Sequence, residues 1–487
     1  MNRAIGIESA LTLSKEQLTL CLVVYGFVAS ILPVWMLLTP RDYLSTFMKV
    51  GVIVLLAIGM IFAAPVLQAP AVTDFAREGT GPVFAGKLFP FVFITIACGA
   101  LSGFHALIAS GTTPKMVAKE SQVRMIGYGA MLMESFVAIS ALIAACVIDP
   151  GLYYAINSPL GATGGDPATA SEFVTTLGFS ISPDALTAAA QSVDEATLIS
   201  RTGGAPTLAF GMSQILGSFL GGSAMTAFWY HFAIMFEALF ILTTVDAGTR
   251  VARFMLSDTL GNLGGPLKKF RDPSWRVGAW ICSIVVCGLW GAILLMGVTD
   301  PLGGINTLFP LFGIANQLLA AMALALVTVV VVKKGYLKWA WIPAVPLLWD
   351  LAVTMTASYQ KIFSPEPSLG YWAQHNAFRE ARAAGETSFG TAADPAAMDA
   401  VIRNTFLQGT LSIIFAVLVL VVALVALWVC VKAIRAGGLP TTEEPDAQST
   451  TFAPSGLISS DAEKEVAAQW TAYYEENPDK IRTGTHA

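Results

Sequence analysis

The sequence predicts an all-α fold, a polytopic integral membrane bundle of about nine spanning helices. Three observations carry the prediction: composition, the length of the apolar runs, and the alternation of basic loops. Of 487 residues, 55% are hydrophobic and only 13% charged, and the mean hydropathy is +0.65. A soluble domain carries about 25% charged residues, and a single globular core stops growing near about 250–300 residues. A bilayer absorbs the excess, because its hydrocarbon core is about 30 Å thick and a spanning helix needs about 20 apolar residues. Backbone in lipid must satisfy its own hydrogen bonds, which leaves helices or closed barrels. The runs lack the period-2 alternation of a barrel.

Apolar runs of spanning length fall at 17–38, 45–65, 83–103, 126–148, 226–246, 276–298, 305–332, 339–357 and 406–431. Every second connection is basic. Lys115, Lys119 and Arg124 lie between the third and fourth runs, and Arg250, Arg253, Lys268, Lys269 and Arg271 follow the fifth. Lys333, Lys334 and Lys338 follow the seventh, and Lys432 and Arg435 the ninth. The positive-inside rule assigns these four connections to the cytoplasm. The same rule puts Met1 outside, in a chain whose N-terminus lacks the pattern of a cleaved signal peptide. That combination points to spans normally preceding residue 1.

Residues 1–435 therefore read as a transmembrane carrier domain and 436–487 as a polar, cytosolic C-terminal tail with a short helix near 461–476. Residues 206–223 are apolar, Gly-rich and too short for an ordinary span. They read either as a re-entrant helix buried in protein or as an amphipathic helix on the outer surface. The six cysteines lie within apolar runs and form no CxxC pair, so no disulfide or metal framework is implied. A net charge of −5 gives no nucleic-acid footprint. Residues 81–87 (GPVFAGK) match GxxxxGK, yet Leu88 replaces the required Ser or Thr and no strand precedes, so a phosphate loop is rejected. No nucleophile–base or metal spacing marks an enzyme, and no cofactor is implied.

Ionisable groups inside spans cost about 2.5–3.5 kcal/mol each on insertion scales, so they point to function. In the third run Thr95, Cys98, Ser102 and His105 share one helical face, and Gly99 and Gly103 form a GxxxG seam beside it. The run ends at Ser110, Thr112 and Thr113, whose hydroxyls can satisfy backbone where the helix breaks. Glu134 lies inside the fourth run. Glu237 is central in the fifth, with Tyr230 and Thr244 seven residues to either side and His231 toward one end. A carboxylate at membrane depth can take up a proton in one state of a carrier and release it in another. It can equally be held permanently between helices. Asp246 and Arg250, spaced i, i+4, read as a structural ion pair or a gate. Pro310 and Gly313 are expected to interrupt the seventh span just before Asn316 and Gln317. Asp350 is central in the eighth, after Pro343 and Pro346, which are expected to kink it. Discontinuous helices are where transporters bind solutes.

The phrases GKLFPFVFITIACGALSGFHALIASGTTPKMVAKE and IGYGAMLMESFVAISALIAACVIDPGLYYAINSP resemble the carbon starvation protein A (CstA) family. So do YGFVASILPVWMLLTPRDYLSTFMKVG and FEALFILTTVDAGTRVARFMLSD, and the likeness covers roughly 20–435. The resemblance implies a multi-pass carrier of the bacterial inner membrane, of the amino acid–polyamine–organocation superfamily, with an inverted-repeat bundle. Family members are described as peptide transporters induced on carbon starvation, and some relatives as pyruvate–proton symporters. Expected partners are therefore a peptide or pyruvate, protons and the lipid bilayer. Family members usually carry further helices before the matched part, which agrees with the outside position of Met1 and implies a truncated chain. A membrane sensor or scaffold, and an inactive remnant of a carrier, stand as alternatives.

Overall fold

The computed structural model describes residues 13–477 apart from 34, 100, 118, 273, 301–304, 391 and 438–458. Those residues form helices and turns, with one isolated bridge between Phe389 and Ala392. Apart from the one-turn helices Asp74–Glu78 and Leu160–Thr163, the α-helices run in order α1 (Lys15–Ile31), α2 (Leu38–Ala63), α3 (Leu88–Ile96) and α4 (Gly103–Gly111). Next come α5 (Val123–Cys146), α6 (Pro150–Asn157), α7 (Pro167–Thr176), α8 (Pro183–Ser192), α9 (Gly204–Phe219) and α10 (Thr226–Asn262). The last are α11 (Arg276–Val298), α12 (Ile305–Lys333), α13 (Trp341–Phe363), α14 (Tyr371–Ala383), α15 (Pro395–Arg435) and α16 (Asp461–Glu476).

Among the described residues, six helices are long and apolar enough to cross a membrane: Leu38–Ala63, Glu120–Cys146, Thr226–Asn262, Arg276–Val298, Leu308–Lys333 and Pro395–Arg435. They match six of the nine expected runs. The other three take different forms. α1 has 17 residues and ends at Leu32, where the following Pro33 disfavours helical backbone. The run at 83–103 divides into two pieces. α13 has 23 residues but buries Asp350 and Lys361, which lowers its apolar character. Large apolar side chains remain exposed along the spans, as on α15, where Val417, Leu418, Val421, Leu424 and Trp428 face outward. Lipid covers such a surface.

Two cores organise the bundle. One surrounds α9, whose Phe210, Met212, Ile215 and Leu216 pack with Leu56 of α2, Ala144 of α5 and Phe236 of α10. No residue of α9 from Thr207 to Gly217 is exposed, so the surface-helix reading of 206–223 is set aside. A Cβ on Gly211 would meet the Ala144 carbonyl oxygen at 2.1 Å, so glycine is what lets α9 sit against α5. The second core joins Phe91 and Ile94 of α3, Ile314, Leu318 and Ala321 of α12, Val353 and Ala357 of α13, and Val419 of α15. Outside the spans, Asp149, Asp166, Ser182 and Asp394 cap α6, α7, α8 and α15, each with proline in the first turn. The helix expected near 461–476 is α16, opened by a capping box of Ser460 and Glu463.

Candidate functional site

The third apolar run is a broken helix. The chain leaves the α conformation after Ile96, makes a 3₁₀ turn at Ala97–Gly99, and re-enters a helix at Gly103. Ser102 is extended and its hydroxyl accepts from the His105 N–H at 3.1 Å, capping α4. Breaking a helix frees backbone donors and acceptors that must be satisfied again. Side chains of α12 do this. The Phe104 N–H donates to Asn316 Oδ1 at 2.9 Å, while Asn316 Nδ2 donates to the Leu101 carbonyl at 3.3 Å. Gln317 Nε2 donates to the Phe93 carbonyl at 3.4 Å. Such bonds need the backbones close. A Cβ on Gly103 would lie 2.2 Å from the Asn316 carbonyl oxygen, and one on Gly313 would lie 2.3 Å from that of Ile94.

Two expectations are corrected here. Thr95, Cys98, Ser102 and His105 do not form one stripe, because the 3.6-residue period is lost between Ile96 and Gly103. The interruption expected at Pro310 and Gly313 is absent, since α12 continues through Pro310. Gly313 serves close packing instead, and the break falls in the partner that Asn316 and Gln317 hold.

Thr95 sits in the last turn of α3, its hydroxyl donating to Phe91 and Val92 carbonyls at 3.0 and 3.1 Å. It lines a cavity of about 260 Å³ with Phe75, Val83, Lys87, Tyr153 and Tyr154. Lys87 is the charged residue of that lining. Burial pushes the Tyr154 phenol up to about 12, so its hydroxyl stays a neutral donor at physiological pH. The segment that mimics a phosphate loop is thus a cavity wall. Past the break, the α4 N-terminus carries the positive end of a helix dipole, which suits an anion, while its Phe104 and His105 N–H groups are already bonded to Asn316 and Ser102.

His105 and Glu134, read on separate spans, come together: His105 Nδ1 lies 3.5 Å from Glu134 Oε2, with the side chains 53% and 36% exposed. The expected pair of Asp246 with Arg250 does not form. Arg41 of α2 pairs with Asp246, and the Tyr25 hydroxyl of α1 donates to Asp246 Oδ2 at 3.0 Å. Arg41 also donates to Tyr25, and to Asp42 at 2.9 Å. Thr243 donates to Asp42 at 3.2 Å and accepts from Lys49 at 2.9 Å. Arg250, one turn along α10, donates to the Ala29 carbonyl at 2.6 Å. Both i, i+4 side chains face α1, and each finds a partner across the helix interface rather than along its own helix.

The remaining candidates are dispersed. Along α10, Tyr230 is buried, Glu237 half-buried and Thr244 exposed, so that face is not uniformly internal. His231 is exposed. Among the described residues, Glu237 makes no ion pair. Ser110 is exposed and donates to the Leu107 carbonyl. Thr112 is buried with its hydroxyl unpartnered, and the carbonyl of Thr113 accepts from Met116 and Val117 in the turn beyond α4. Asp350 is 4% exposed in α13, where Thr354 donates to its Oδ1 at 3.1 Å. Pro343 lies in the first turn of α13, where its missing N–H removes no helical bond.

Residues 2–357 match the family model described as carbon starvation protein CstA. The chain belongs to the carbon starvation protein CstA family. It is 62% identical, over 93% of its length, to the protein named peptide transporter CstA of Mycobacterium tuberculosis. It is 52% identical over 90% of its length to the peptide transporter CstA of Escherichia coli. The pyruvate/proton symporter BtsT of Escherichia coli is 47% identical over 84% of this chain. These alignments cover 60%, 62% and 60% of the relatives, so the chain spans about three fifths of their length. No solved structure matches.

Sequence reasoning missed Tyr25, Arg41, Asp42, Lys49 and Thr243, because starting the second span at residue 45 left Arg41 and Asp42 in a loop. α2 begins at Leu38. The signal was present in the adjacent Arg41–Asp42 pair at the head of an apolar run. It also missed Asn404, Gln408 and Ser412, spaced i, i+4, i+8 on α15.

Proposed function

We propose that this chain forms the helical framework of a secondary carrier that moves a small carboxylate-bearing solute, a peptide or pyruvate, across the bacterial inner membrane in symport with protons. The observation that carries the reading is the break between α3 and α4. It presents a capped helix N-terminus inside the bundle, held open by Asn316 and Gln317. A carboxylate is the group shared by peptides and pyruvate, and the positive end of a broken helix is where carriers hold one. A cavity lined by Thr95 and Lys87 lies on the α3 side of the break. The names of the relatives, peptide transporter and pyruvate/proton symporter, favour transport over a sensor or scaffold. The basic connections support a cytoplasmic C-terminal tail.

With a zwitterionic peptide, a proton crossing 100 mV releases about 2.3 kcal/mol, enough for about fifty-fold accumulation at tenfold per about 1.4 kcal/mol; pyruvate with one proton moves no net charge and is driven by the pH gradient. The test is uptake of labelled pyruvate and of a labelled dipeptide by cells expressing the 487-residue chain, with and without a protonophore. Uptake of either that collapses with the protonophore is the expected result. Absence of both, with the protein present in the membrane, overturns the reading for this chain.

A further inference from the structure

α13 and α15 carry a row of polar groups that the broken helix does not use. Both helices pack against α14, α13 by its C-terminal end and α15 by its N-terminal end, and against each other. They therefore run antiparallel, with the α14 ends together. On α13 the buried polar side chains are Asp350, Thr354, Ser358 and Lys361; on α15 they are Asn404, Thr405, Gln408 and Ser412. All are 6% exposed or less.

Thr354 and Ser358 donate to carbonyls one turn back, so their protons are already committed. On α15, Thr405 does the same, but the other three do not. Asn404 Oδ1, Gln408 Nε2, Ser412 Oγ and Asp350 Oδ2 are buried without a hydrogen-bond partner. Each such atom costs about 1–3 kcal/mol if it stays unsatisfied. Several on one helix face, four residues apart, mark positions where water is held. At 1.5 Å per residue, Asn404 to Ser412 covers about 12 Å, and Lys361 to Asp350 about 16 Å. That is too long for one ion cage. It is the length of a file that starts under α14 and runs inward toward Asp350.

Among the described residues, Asp350 has no cation to pair with. Residues 88–96, 308–332 and 404–429, from the helices packed on α13, contain no Asp, Glu, Lys, Arg or His. Lys361 is the other ionisable group on the buried face of α13. Its ammonium lies 5.6 Å from the Phe91 ring centre and 5.5 Å from that of Tyr371, and among the described residues it makes no ion pair with Asp350. From α14, Tyr371 and His375 stand at the same end, where the His375 imidazole meets the Ile402 carbonyl. An unpaired charge at such a site is expensive enough that the carboxylate must be neutralised.

We propose that Asp350 is the proton-carrying group of this chain, supplied through a file of water along Asn404, Gln408 and Ser412 of α15. This deepens the symport reading and rests on it for its role in transport. The loading step is a simple protonation: a hydronium in the file gives its proton to Asp350 Oδ2, and water is left behind.

The test reads the proton directly, not the solute. Infrared difference spectra of the 487-residue chain in lipid vesicles, taken across a pH titration, report the C=O stretch of buried protonated carboxyls. We expect a titrating band in the wild type that survives in Glu237→Gln and is lost in Asp350→Asn. Where Asp350→Asn fails to insert, Asp350→Glu should displace the band. After dilution into D₂O, Gln408→Leu and Ser412→Leu should slow deuteration of that carboxyl at least tenfold. A band that persists unchanged in Asp350→Asn overturns the proposal, as does one governed by sodium at constant pH. An unaltered exchange rate in both leucine variants overturns the water file. A titrating Asp350 band in a wild-type chain that moves no solute would instead sink the transport reading and leave the proton site standing.

Discussion

The α3–α4 break and the α13–α15 seam are both polar regions inside an apolar bundle, and they are satisfied in opposite ways. At the break, the freed backbone groups of Phe93, Leu101 and Phe104 are taken up by Asn316 and Gln317. At the seam, Asp350, Asn404, Gln408 and Ser412 each keep an unpartnered atom. Spent hydrogen bonds hold a shape; unspent ones wait for something to bind. The break therefore looks structural in its partners and functional in its opening. The seam is the reverse: little in it is held by polar contacts, and its polar atoms are free for water and protons.

That contrast can be broken by mutation, and the largest effect should come from a buried charge pair. Asp246→Ala removes the carboxylate that Arg41 and Tyr25 hold. Losing one side of a buried pair costs about 3–5 kcal/mol, so the detergent-solubilised protein should lose most of its thermal stability. An unchanged melting profile would mean that the Arg41–Asp246 pair carries no structural role. Gly103→Val should come next, because its Cβ would strike the α12 backbone. Overpacking costs about 1–3 kcal/mol, and the readout is a lowered melting temperature or lost monodispersity on size exclusion. Asn316→Ala deletes two bonds to the break and should cost about 1–2 kcal/mol, near the range for membrane hydrogen bonds. A stability equal to wild type would show that the break holds itself. The smallest effect is expected at Gln408→Leu, where no protein hydrogen bond is lost. Its melting temperature should equal or exceed that of the wild type, and a clear fall would mean that the seam, too, is fully satisfied.

The apolar runs made six spans legible, because twenty-residue hydrophobic segments answer to one physical requirement, the thickness of the bilayer. They hid the break, since the run at 83–103 looks continuous by hydropathy alone. Only the packing of Gly103 and Gly313 against α12 makes an unwound segment affordable there. Of the candidate site, residues with local signatures were readable: Ser102 as a cap, Asn316 and Gln317 as polar groups in an apolar helix. Partnerships were not. Asp246 prefers Arg41, over two hundred positions away in sequence, to Arg250 one turn along, and no spacing rule contains that choice. His105 and Glu134 became a pair only when α4 and α5 were placed beside each other. The row on α15 escaped notice because amides and hydroxyls raise no charge alarm in a hydropathy reading.

The glycine contacts have a mechanical consequence. Gly313 presses α12 onto α3, and Gly103 presses α4 onto the same stretch of α12. Both halves of the broken helix are thus riveted to one beam, a turn or two on either side of the gap. The gap cannot act as a hinge, since neither half can swing without carrying α12 along. In a carrier that alternates access, α3, α4 and α12 must travel as a single strut. Toward α10 the glycine contacts are to side chains instead, Gly111 against Val251 and Gly248 against Phe104.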